Sequence, residues 1–90
     1  MNKWKDIYIK LTNGEALVLQ SSKWVPSKDI KEGFTFFSID ENNYKMVKQF
    51  LNDKDMKEIV FTVNPNFYNA DLYLNKDCIL YAEIQKEKDL

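Results

Sequence analysis

All 13 cations of this 90-residue chain are lysine; arginine and histidine are both absent. The chain therefore has no side chain that titrates unperturbed near neutral pH. It also lacks the planar fork that grips phosphate or carboxylate through two parallel bonds. The single thiol, Cys78, has no imidazole to take its proton, cannot close an internal disulfide, and supplies at most one metal ligand. Its place beside Leu80 in an alternating run predicts a small buried hydrophobe.

The carboxylates are no better placed for chemistry. Asp53-Lys-Asp55-Met-Lys-Glu58 resembles a calcium loop in outline, but its sixth position is not glycine, and Met56 and Lys57 stand where oxygen ligands belong. A solvated turn after a helix explains it. Asp40 and Glu41 suit a helix start, where acids meet the positive end of the dipole. No metal or cofactor is expected, and catalysis is the least expected function.

Aromatic residues are what remains, at 14% of the chain. Tyr8, Trp24, Phe37, Phe67, Tyr68, Tyr73 and Tyr81 are the candidate partner contacts, because aromatic anchors dominate binding energy at protein interfaces. Packing over a sheet edge is the bland alternative for Trp4 and Trp24. Stacking on single-stranded nucleic acid would need a cationic groove, yet 13 cations and 14 acids are interspersed to a net charge of −1. Nucleic acid is a disfavoured partner.

The elements that would position these rings follow from pattern. Asn13-Gly14 between the alternating runs 6–12 and 15–20 marks a hairpin with a two-residue turn, pairing Thr12 with Glu15 and Ile7 with Gln20. That register puts Ile7, Ile9, Leu11, Ala16 and Val18 on one face. Residues 21–33 read as a connection, with Pro26 opening a short helical turn over 27–32 that Gly33 ends. Segment 34–39 is a third strand with large apolar groups on both faces. Tyr44, Met46, Val47, Phe50 and Leu51 form one apolar stripe, which predicts a helix over about 40–52, capped by Ser38 or Asp40. Strands over 56–63, 70–74 and 78–85 follow, the last two joined by Asn75-Lys76-Asp77 as a hairpin.

The expected fold is α+β in the order β-β-β-α-β-β-β. It is an antiparallel sheet of five to six strands, open or strongly curled, with one amphipathic helix on one face. Residues 1–90 form a single domain, frayed over about 1–4 and 86–90. No charged leader precedes an apolar core and no apolar run approaches 18 residues, so the expected location is the cytoplasm, with no membrane contact.

One tension runs through this reading. Six strands span roughly 25–30 Å, and a helix about 10–12 Å across covers two or three of them. Tyr8, Leu19, Phe37, Ile39, Val60, Ile79 and Tyr81 would then be short of cover. A patch of about 600 Å² results, worth on the order of 10 kcal/mol or more if buried. A sheet that curls or splits into a sandwich, a plug from the connection that carries Trp24, or a partner would hide it. The expected function is a non-enzymatic protein-binding module. Its size and its lysine and asparagine content fit a small inhibitor of a host protein complex, encoded by a phage or mobile element. The alternatives are a homo-oligomeric structural or regulatory protein and, behind it, a curled barrel that binds nucleic acid.

Overall fold

The computed structural model describes residues 6–21, 32–64 and 68–85. Six strands and one helix follow the expected order: β1 (Ile7–Leu11), β2 (Ala16–Ser21), β3 (Thr35–Ile39), α1 (Glu41–Asn52), β4 (Glu58–Val63), β5 (Ala70–Asn75) and β6 (Ile79–Ile84). They form two sheets instead of one, ordered β3-β2-β1-β6 and β4-β5. The larger sheet is mixed, because β2 and β3 run parallel. The fold is α+β as expected, but the wholly antiparallel sheet is not what forms.

The first hairpin is where it was expected, one residue out of register. Ile7 pairs with Leu19 and Ile9 with Leu17. The loop is Thr12-Asn13-Gly14: Gly14 N–H donates to the Leu11 carbonyl at 3.1 Å, and Leu11 N–H donates to Glu15 at 2.7 Å. A two-residue turn needs positive φ at Asn13 as well as at Gly14. Here Gly14 alone takes it, at φ 93, which gives the three-residue loop with a glycine bulge. Since side chains alternate, that slip moves Leu17 and Leu19 onto the face of Ile7 and Ile9, and sends Val18 to the face of Tyr8.

The corrected face is continuous. Ile7, Ile9, Leu17, Leu19 and Ile39 pack with Tyr44, Val47 and Phe50 of the helix and with Ile59, Phe61, Val63 and Leu74 of the ribbon β4–β5. Met46, assigned to the helix stripe, is 39% exposed, so the buried seam is narrower than the pattern suggested. Asp40 wins the competition to cap the helix, accepting from Asn43 N–H at 2.8 Å.

The final strands depart furthest from expectation. β5 and β6 do not form a hairpin: β5 pairs with β4, and β6 pairs with β1. A 3-10 turn over Lys76–Cys78 separates them, opened by Asn75, whose side chain accepts from Asp77 N–H. The chain thereby leaves the ribbon and joins the other sheet, where Thr12 N–H donates to the Cys78 carbonyl at 2.9 Å. Cys78 is exposed on that turn, so its expected place in the core is overturned.

Two sets of polar contacts join the ribbon to its neighbours, one to the sheet and one to the helix. Asn64 has φ 56, and its backbone N–H donates to the Ser38 carbonyl while its Oδ1 accepts from Ser38 N–H at 2.9 Å. Both outward backbone groups of Ser38 are thus satisfied, and the end of β4 is clipped to the edge of β3. Lys76 Nζ donates to the carbonyls of Phe50 and Asp53 and lies 4.5 Å from the centre of the Phe50 ring. There it meets the negative end of the helix dipole.

Lys76→Met retains an apolar stem over Phe50 but removes the charge, and should lower stability by about 1–2 kcal/mol in urea unfolding. Asn64→Gly keeps the left-handed backbone and loses the Ser38 bond, at a cost of about 1 kcal/mol. Asn64→Ala adds backbone strain and should cost about 1–2 kcal/mol more. Equal losses for the two Asn64 variants would show that the strain is absent.

Candidate functional site

The ribbon β4–β5 has an inner face in the core and an outer face in solvent. Its outer cross-strand pairs are Glu58 with Asn75, Val60 with Tyr73, and Thr62 with Asp71. Alternation explains the division, since Ile59, Phe61 and Val63 point inward between these positions. Val60 is 54% exposed and Tyr73 57%.

Tyr73 is held in place. Its hydroxyl donates to Glu58 Oε2 at 2.7 Å and accepts from Asn75 Nδ2 at 3.5 Å. Beside it, Thr62 Oγ1 donates to Asp71 Oδ1 at 2.9 Å. Two carboxylates and no cation stand among these six outer positions.

Tyr73 also lines a cleft of about 400 Å³ between the β1–β2 hairpin tip, the start of β3 and β5. Leu11, Ala16, Leu17, Phe37 and Leu72 give it apolar walls, and Glu15 adds a carboxylate. Chemically this is an open cleft of mixed polarity that could take a side chain, with a carboxylate in its lining and Tyr73 at its border.

The sequence-derived candidates scatter. Tyr73 and Phe37 meet at the cleft, where Phe37 is half-buried. Tyr68 is 70% exposed just ahead of β5. Tyr81 is 45% exposed on β6, its hydroxyl donating to Glu83. Tyr8 is 1% exposed and meets Phe34 edge-on, ring centres 5.0 Å apart, so burial removes it from the candidate contacts. Its neighbours Val18 and Gln20 on that second sheet face are buried as well, at 0% and 1%. Leu19 and Ile39, also expected to lack cover, lie in the core at 0%. Trp24 and Phe67 lie outside the described residues, as do Trp4, residues 27–31 of the expected turn and the ends 1–5 and 86–90. Val60 and the cleft were missed as features of a site. Alternation signals Val60; the cleft depends on β5 crossing toward β2 and β3, for which the sequence has no local mark.

The loop that resembled a calcium site is a helix exit. Asp53 caps the helix at its C-terminal end and its Oδ1 accepts from Asp55 N–H at 2.8 Å. Glu41 in the first turn pairs with Lys45 at 3.4 Å on the surface.

No known protein family, curated protein or solved structure matches this chain. Among the described residues, no helix is long and apolar enough to cross a membrane.

The hydrogen bond to Glu58 raises the Tyr73 phenol above its ordinary value of 10.0, and the bond to Glu83 does the same for Tyr81. A raised phenol favours the folded state below the unfolded value. That contribution is lost as pH rises through the folded value. Ultraviolet titration of Glu58→Gln against the parent chain should show one phenol titrating earlier, and the same change in a Tyr73→Phe background should move none. A shift that persists without Tyr73 assigns the bond to another ring.

Proposed function

We propose that this chain is a non-enzymatic protein-binding module that docks through the outer face of the β4–β5 ribbon and the adjoining cleft. The observation that carries the reading is Tyr73, 57% exposed yet fixed by Glu58 and Asn75 beside a cleft walled in part by Leu11, Leu17, Phe37 and Leu72. An anchor already ordered before binding forfeits little side-chain entropy on association, and hot spots gather where such rings meet apolar pockets. Val60 beside it adds apolar area, and Tyr68 adds a second ring near the start of β5.

The surrounding charge suggests the partner's character. Glu15, Glu58 and Asp71 are exposed acids around this surface. A protein offering an apolar side chain flanked by lysine or arginine complements it, and association should then slow as salt is raised. Small size and lysine and asparagine content support the finer form of this reading, a stoichiometric inhibitor encoded by a phage or mobile element. The cytoplasm is its proposed place of action.

Affinity capture from the source cells, with the parent chain and a Tyr73→Ala variant side by side, tests this. Both residues of the Val60–Tyr73 pair are exposed, so the variant should keep the parent's circular dichroism. A partner retained by the parent at low salt should be lost by the variant, with a drop in affinity of about 2 kcal/mol or more for a hot-spot ring. Equal retention by both overturns the assignment of the surface.

A further inference from the structure

A second feature is an edge that no other described strand pairs with. Within the larger sheet β3 is clipped at Ser38 by Asn64, and in the ribbon the Thr62 N–H of β4 donates to Asn43 Oδ1 of the helix at 3.1 Å. β6 ends the larger sheet on the opposite side, with β1 as its one strand neighbour among the described residues.

The register of β6 on β1 fixes which backbone groups face outward. Gln85 N–H donates to the Asp6 carbonyl at 2.9 Å, so Asp6 and Gln85 form a hydrogen-bonded pair. Antiparallel pairs alternate, so Glu83 and Tyr81 also direct their N–H and C=O toward Tyr8 and Lys10. The N–H and C=O of Ala82 and Ile84 therefore point away from β1, while Leu80 is the extra residue of the bulge opposite Lys10–Leu11. None of these three residues is charged and none is proline, the usual protections of a free edge. Leu80 is 63% exposed, and its position follows the register shift at Lys10–Leu11.

We infer that β6 is a self-pairing edge: two copies of the chain join antiparallel through it, about a two-fold axis at Ala82. In that register Ala82 faces Ala82 of the copy, and Leu80 faces Ile84 on either side. The three residues are then matched, apolar against apolar, with the smallest side chain on the axis. Tyr81 meets Glu83 of the copy, twice by symmetry. The two groups are already suited chemically, since the Tyr81 hydroxyl donates to Glu83 within one chain. Shifting the axis one position toward the C-terminus would set Glu83 against Glu83, and shifting it the other way would set Glu83 against Ile79. Charge and hydrogen bonding together select Ala82. The product is one sheet of twice the width, in the order β3-β2-β1-β6-β6-β1-β2-β3, with an isologous interface. It uses a different surface from the Tyr73 cleft and does not rest on the protein-binding reading above.

Sedimentation velocity from about 1 µM to about 1 mM tests it, a range that covers weak to moderate association. The parent chain should pass from monomer to dimer. Ala82→Pro removes one outward N–H and none that bonds to β1, so it should keep its circular dichroism and stay monomeric. Leu80→Lys, at an exposed position, should do the same, whereas Tyr73→Ala should dimerise like the parent. In a Cys78→Ser background, Ala82→Cys should cross-link to a covalent dimer on mild oxidation, because facing Cα atoms in such a pair sit about 5.5 Å apart. A parent chain that remains monomeric throughout overturns the inference. So does a dimer that survives both Ala82→Pro and Leu80→Lys.

Discussion

A sheet of four strands with an apolar face must have that face roofed, and a helix of 12 residues, about 18 Å long, is too small to do it alone. The chain answers by splitting its strands. Four make the floor, and two leave it to form a ribbon that shares the roof with the helix. The other features of the fold serve that arrangement. Asn64 fastens the ribbon to β3, Asn43 fastens the helix to β4, and Lys76 ties the far end of the ribbon to the end of the helix. The outer face of the ribbon is wet because its inner face is needed below.

Local signals in the sequence carried the elements and little of their assembly. The hairpin was legible from Asn13-Gly14 and the helix from its stripe, because both depend on residues close in the chain. The register was not, since Asn13 can serve either turn length, and the choice falls to Leu17 and Leu19 meeting the common core. The pairing of β6 with β1 is non-local and was hidden behind a plausible hairpin at Asn75-Lys76-Asp77. That one error carried Cys78 into the core, when the 3-10 turn holds it out. Parallel pairing of β2 with β3 was signalled by the length of the connection between them, which suffices for a crossover. Of the candidate rings, exposure at Tyr73 and Tyr81 was compatible with alternation, while Tyr8 lies on the expected face and is buried because that face is covered.

The asparagine content, easily read as codon bias in an AT-rich genome, has structural uses. Asn13, Asn43, Asn64 and Asn75 each accept a hydrogen bond from a backbone N–H through their Oδ1 atoms. They sit at the hairpin loop, at the join of helix and ribbon, at the join of ribbon and sheet, and at the turn between ribbon and sheet. A short amide side chain imitates a peptide group, so it can satisfy a donor where no neighbouring strand is available. The junctions of this fold are built from such imitations. Buried Gln20 shows the limit of the device, because its Nε2 donates to Asp6 at 2.9 Å while its Oε1 has no partner among the described residues.

The adjacency of β1 and β6 also sets the order of events during synthesis. β1 leaves the ribosome ahead of the other described strands and finds β2 quickly, but its other side stays without β6 until nearly all the described chain has been made. At roughly 5–20 residues per second, that interval is measured in seconds, far longer than a hairpin needs to form. The nascent sheet therefore waits with β1 as a margin that β6 has yet to join, and β6 completes a structure that β1 began.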